Sequence, residues 1–275
     1  MMRNNLVIFF IILFTYFSQM SNSKADCPIH EGINIKDSFG IQICSMPGVD
    51  NKYLLHAKKV MDNLLDYDDD EFPDNQLVIE NIMRSGSVFV IFNTEREIRN
   101  FEEIFYIGVD EIIENECEEL SDNECDAIIE NKHGIFLAVF KDEMNLSNKG
   151  WDPTKEEALH LITHAGYSKV YPEDFGQSEG SKISKFMDIA RGGKYNKVPQ
   201  KYPVNAYYTY YDRSCDYACQ ITEFTFWAIS SLRGEQMGRE KDIKDEWKPN
   251  TPNKMRETDP ELVDFLSRDE FGILF

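Results

Sequence analysis

"SVFVIFN", residues 87–93, is short, dense in β-branched and aromatic side chains, and bounded by turn formers, so it reads as a central β-strand. "GIFLAVF", residues 134–140, has the same character and predicts a second one. Ahead of the first strand, "YLLHAKKVMDNLLDY" (53–67) sets apolar residues at 54, 57, 60, 61, 64 and 65, the stripe of an amphipathic helix. His56 on that helix reads as a surface or boundary residue rather than a ligand. A second helix is expected around Gln76 to Arg84, broken by Ser85-Gly86. Between the strands lie an acidic helical stretch, roughly Glu95 to Phe105, and the cysteine-bounded loop "CEELSDNEC".

Beyond the second strand, Asp152-Pro153 marks a helix start, with Asp as cap and Pro in the first turn. That helix should run to about Lys169 and stop before Tyr171-Pro172. Another, about Ser181 to Arg191, ends at Gly192-Gly193, and "ACQITEFTFWAISSLRG" (218–234) reads as a largely buried helix. The proline-rich tail has one short helix near Glu261 to Ser267. No internal repeat or long linker is visible. The expected fold is α+β, one domain over residues 26–275 with a small central sheet packed by helices.

Residues 1–25 carry the pattern of a secretory signal peptide: Arg3, an apolar run from Leu6 to Phe17, and Ser23-Lys24-Ala25 at the cleavage positions. The run is shorter than the roughly 20 residues that span a bilayer, so no membrane insertion is expected after cleavage. The chain has a formal net charge of −20. Removing Arg3 and Lys24 makes that about −22 by the same count. Such a chain repels phosphate backbones, which argues against a nucleic-acid partner, and it attracts cations.

All six cysteines lie after the signal, and an even count in an oxidising compartment implies disulfides. Locality favours Cys27 with Cys44, Cys117 with Cys125, and Cys215 with Cys219; the last pair needs a helix end or turn. Asn145-Leu146-Ser147 is a glycosylation sequon, in keeping with a secreted glycoprotein.

"EEALHLITHAGY" (156–167) sets His160 and His164 one helical turn apart, where two imidazoles can share an ion. The spacing resembles H-E-x-x-H, except that Leu161 stands where that motif has its glutamate. Glu157, four residues before Leu161 in the same helical row, is the candidate base. Glu156, in the row of the histidines, is a candidate ligand or an acceptor that orients an imidazole. Glu223 is the candidate third ligand, because an ionised carboxylate inside "ITEFTFWAI" is costly unless paired or bound to metal. Its other reading is pairing with Arg191 or Arg213, and Asp212 and Asp216 are lesser candidates. Tyr207, Tyr208, Tyr210 and Tyr211 offer hydroxyls to a developing oxyanion, or simply pack. No G-x-S-x-G elbow or phosphate loop is present.

The order strand, strand, H-x-x-x-H helix, then a later helix bearing Glu resembles the glutamate-ligand branch of the zincin-like metallopeptidases. That resemblance implies zinc on His160, His164 and Glu223, and hydrolysis of a peptide or small extracellular substrate. "DYDDDEFPD" (66–74) sets Asp66, Asp68, Asp70 and Asp74 at positions 1, 3, 5 and 9 of a calcium loop, similar to EF-hand and thrombospondin type-3 loops. It departs from them at Glu71 and Leu77. The first functional reading is therefore a secreted zinc-dependent hydrolase. The others are a non-catalytic extracellular calcium-binding or interaction protein, and a zinc-binding pseudoenzyme that lacks the base.

Overall fold

The computed structural model describes residues 26–28, 31–147 and 150–274. The expected signal peptide lies outside them. Four strands, β1 (Asn34–Ser38), β2 (Ile41–Ser45), β3 (Val88–Phe92) and β4 (Phe136–Phe140), form one sheet in the order β1-β2-β3-β4. β1 and β2 are an antiparallel hairpin; β2, β3 and β4 run parallel, with Phe89 opposite Ile43 and Leu137.

Every residue of β3 is buried, because both faces of the sheet are covered. Alternation then sorts the side chains. Phe89 and Ile91 join Ile41, Ile43 and Val139 in the main core. Val88, Val90 and Phe92 face the other way, into a smaller core with Cys27, Cys44, Phe101 and Phe105. Mixed α/β architecture with a small central sheet is what the strand patterns implied.

The hairpin is not legible in the sequence. Four of the five residues of β1 are exposed, so it lacks an apolar face. Its turn is Phe39-Gly40, both at positive φ (48° and 93°), where an Asn-Gly pair would be the recognisable signal.

Helices α1 (Asn51–Leu65) and α2 (Gln76–Ser85) cover the main-core side, each capped by a side chain, Asp50 and Asn75. His56, read as a surface or boundary residue, is 9 % exposed, and its Nε2 lies 2.6 Å from Asp152 Oδ2. Helix α3 (Arg96–Phe105) covers the smaller core. The cysteine-bounded loop, 117–125, follows α4 (Val109–Glu116) and runs into the start of α5 (Asp122–Lys132), and the Cys117–Cys125 disulfide ties the two helices. The other disulfides are Cys27–Cys44 and Cys215–Cys219, so all three pairings favoured by locality are present. Cys215 precedes a helix and Cys219 sits in its first turn, the chain end that such a short separation requires.

Helix α6 (Pro153–Leu161) is capped by Asp152, which accepts from Thr154 N, and has Pro153 in the first turn. It packs on β4 and α1. It does not continue as an α-helix to Lys169: Ile162–Tyr167 winds as a π-helix before α7 (Ser168–Val170). The polar groups loosened by that wide turn find other partners. Thr163 Oγ1 donates to Leu159 O at 2.9 Å, and Asn81 Nδ2 of α2 donates to Ala165 O at 2.8 Å. Gly166 permits the close approach of α2, since a Cβ there would stand 2.6 Å from Val78 Cγ1.

After α8 (Pro172–Phe175) and α9 (Lys182–Ala190), α10 (Tyr217–Leu232) runs through the core, capped by Asp216 and buried from Phe224 to Leu232. The tail adds α11 (Glu240–Ile243), α12 (Pro252–Thr258) and α13 (Pro260–Leu266), the last two each opened by its proline.

Candidate metal centre

Helices α6 and α10 meet where His160 faces Glu223. His160 Nε2 lies 3.8 Å from Glu223 Oε2, and its Nδ1 lies 3.9 Å from Glu157 Oε2. Glu156, His160 and Glu223 each offer one ligand atom, and these atoms lie within 4.8 Å of one another. The imidazole is held edge-on against Phe226, ring centroids 5.5 Å apart, and Trp151 packs against the same ring. His160 is buried, yet its Nε2 has no hydrogen-bond partner.

Burial and mutual repulsion shape the ionisation of the group. Burial, reinforced by the charges of Glu223 and Glu157, pushes the Glu156 carboxyl up to about 7. The Glu223 carboxyl is likewise raised, by burial first and then by Glu157, against the opposing pull of His160 and Tyr210. For His160, burial alone would lower the pKa, but Glu157, Glu223 and Glu156 outweigh it and the net direction is up. Glu246 is also raised by burial and by Glu223. Arg239 is the nearby countercharge: it attracts Glu156, and its guanidinium lies 3.8 Å from the Trp151 ring centroid.

The structure does not bring His164 to this group. Both histidines line one cleft, but His164 has a partner of its own there. His164 Nε2 instead meets Glu130 Oε1 of α5 at 3.0 Å, and Lys169 Nζ takes Glu130 Oε2 at 2.7 Å. Glu156, the other candidate ligand or acceptor, stands in the group with His160 and Glu223. The register legible in hindsight is Glu156-Glu157-x-x-His160, the spacing of H-E-x-x-H with a carboxylate at its first position. Leu161, where the earlier register set the missing glutamate, is wholly buried.

The remaining candidates separate cleanly. Arg191 donates to Asp188 at 2.6 Å and to Gln220 at 2.5 Å, not to Glu223. Asp212 accepts from Ser214 N, and Asp216 caps α10. Of the four tyrosines, Tyr208 and Tyr210 stand near enough to feel the charge of Glu223, and burial together with that charge pushes both hydroxyls up. Tyr207 donates to Asp259, Tyr208 to Gln220 O, and Tyr211 is exposed. Sequence reasoning found no sign of Arg239, Glu246 or Glu130, whose neighbourhoods arise only from tertiary packing.

In the acidic loop, Asp66, Asp68 and Asp74 come within 4.8 Å of one another, and Asp70 does not join them. Asp70 Oδ1 accepts from Phe72 N at 2.9 Å. Asp66 accepts from Asp70 N and Glu71 N, and Asp74 from Tyr67 N, so backbone amides already hold this loop. The sequon residue Asn145 is half-buried, its Nδ2 donating to Trp151 O at 2.9 Å.

Comparison with protein-family models, curated proteins and solved structures finds no match.

Proposed function

We propose that this chain is a secreted, zinc-dependent hydrolase of peptide bonds, with Glu156, His160 and Glu223 holding the ion and Glu157 as general base. The observation that carries the proposal is the unpartnered, buried Nε2 of His160, set among carboxylates whose protons are held by burial and repulsion. A buried nitrogen without a partner costs about 1–3 kcal/mol. A divalent cation between the three side chains would satisfy that nitrogen and offset the crowding of negative charge. One imidazole and two carboxylates suit zinc, with manganese the other metal such a set accepts.

When bound, zinc would supply Lewis acidity toward a water and a substrate carbonyl. The chain's own groups do the rest. Glu157, its side chain 33 % exposed beside His160, takes the proton from the attacking water and passes it to the departing amine as the carbon–nitrogen bond breaks. The Tyr210 hydroxyl, close enough to feel the Glu223 charge, is placed to orient that carboxylate. Arg239 limits the repulsion at Glu156. In this register the chain resembles zincin-like metallopeptidases in the order of strands, motif helix and later glutamate helix.

Three disulfides are compatible with an oxidising compartment, and no described helix is long and apolar enough to cross a membrane. The calcium-binding alternative has the Asp66, Asp68 and Asp74 grouping in its support, but Asp66 and Asp74 already have amide partners, as His160 Nε2 does not. The pseudoenzyme alternative keeps zinc without a base; Glu157 beside His160 favours a chain that has one. The proposal is tested by metal analysis of the purified protein, followed by hydrolysis of an unstructured protein substrate. One zinc per chain with cleavage is expected, and a chain with neither contradicts it.

A further inference from the structure

We infer that the cleft beside this centre receives a cationic chain, a peptide segment carrying lysine or arginine, and that Asp126 and Asp216 meet its positive side chains. The inference rests on the hydrolase reading in that it names the substrate class of the same site.

The cleft has a volume of about 800 Å³ and is walled by α5 on one side and the start of α10 on the other. That is toward the upper end of the roughly 300–1,000 Å³ of small-ligand sites, room for a few residues of an extended chain. His160, 7 % exposed and with its Nε2 unpartnered, is part of the wall, so the cleft leads to the proposed reaction centre.

The charge of the wall is lopsided. Carboxylates enter it from Asp126 and Glu130 of α5, from Glu179, and from Asp216 and Glu223 of α10. Lys169 is the only lysine or arginine among the lining residues, and Glu130 already engages both it and His164. Glu179 is paired with Lys194. Among the described residues, no lysine, arginine or histidine lies within ion-pair distance of Asp126 or Asp216. The Asp216 carboxylate accepts the Cys219 amide, which orients it without neutralising it. Even with a divalent ion at the centre, the wall stays negative. Walls of low dielectric focus such a field and concentrate ligands of opposite sign. An acidic peptide would meet repulsion along the whole approach.

The test measures binding, so that it does not depend on turnover. Two fluorescein-labelled hexapeptides share one sequence, except that one has lysine and the other glutamate at alternate positions. Their anisotropy is followed with metal-free protein and with the zinc-supplemented Glu157→Gln variant. The lysine peptide is expected to bind at least about tenfold more tightly than the glutamate peptide at low salt. Asp126→Lys, at an exposed position with no ion pair to lose, should shrink that ratio severalfold; Asp126→Asn should shrink it less; high ionic strength should shrink it in all of them. Equal or reversed preference, a ratio unmoved by Asp126→Lys, or no binding of either peptide overturns the inference. Zinc content and cleavage are separate readouts. A lysine preference without zinc or cleavage removes the hydrolase reading alone, and cleavage without charge preference removes this one alone.

Discussion

His160 and His164 stand one turn apart in the sequence, yet their Nε2 atoms address different partners, Glu223 at 3.8 Å and Glu130 at 3.0 Å. His160 lies in α6 and His164 in the π-helix that follows it from Ile162. Wide turns of this kind recur at functional sites because they re-aim side chains without ending the helix. Here the consequence is a division of labour: one histidine at the proposed centre, the other tied into the cleft wall.

Replacing Glu157 by Gln keeps the shape of the side chain and removes the proton acceptor. Metal content should be unchanged while the rate of peptide cleavage falls at least about a hundredfold. The rate is read on a fluorogenic peptide with metal content measured on the same sample. Cleavage at the parent rate would take Glu157 out of the mechanism.

Glu156 gives the metal-free protein a pH dependence of definite sign. Its carboxyl is raised from an ordinary 4.5 to about 7. Between those values the folded chain binds more protons than the unfolded one, so its contribution to stability falls as pH rises through about 7. Urea unfolding at about pH 5 and about pH 8 should show a larger drop for the metal-free parent than for Glu156→Gln. Zinc, which favours the ionised carboxylate, should lessen that drop. Parallel profiles for parent and variant would contradict a buried, proton-holding Glu156.

Glu130 should act in the opposite sense. Burial pushes its carboxyl up, but the hydrogen bonds and charges of His164 and Lys169 outweigh burial and hold it at about 2, below the usual 4.5. The stability it contributes is present above about 4.5 and is lost as pH falls through about 2. Glu130→Gln should therefore be less stable than the parent near neutrality, and the difference should narrow on acidification. A difference independent of pH would place the effect in packing instead.

Gly166→Ala tests the packing behind the centre. The new Cβ would meet Val78 Cγ1 at 2.6 Å and Ile82 Cδ1 at 3.1 Å, and valine is too stiff at its branched carbon to yield freely. Destabilisation of about 1–3 kcal/mol is expected in denaturant unfolding. A neutral result would show that α2 and the π-helix are less tightly apposed than the structure has them.

Much of the fold was legible because it rests on local pattern. Dense β-branched runs gave β3 and β4, the helical stripe gave α1, and Asp152-Pro153 gave the start of α6. β1 was hidden, since an exposed edge strand carries no apolar alternation. At the centre, Glu157 and Glu223 stood out by chemistry: one flanks a histidine, the other is a charge inside an apolar helix. His164 misled because Glu130 of α5 takes its imidazole, and no spacing along its own helix encodes that partner. Arg239 comes near Glu156, and Glu130 enters the cleft wall, from elements whose placement no spacing rule encodes.

The account turns on which histidine holds the ion, and metal stoichiometry of two variants decides it. With zinc supplied and excess removed, His160→Ala should retain almost none, while His164→Ala should retain about one ion per chain. Zinc kept by His160→Ala, or lost only from His164→Ala, would contradict the proposed centre.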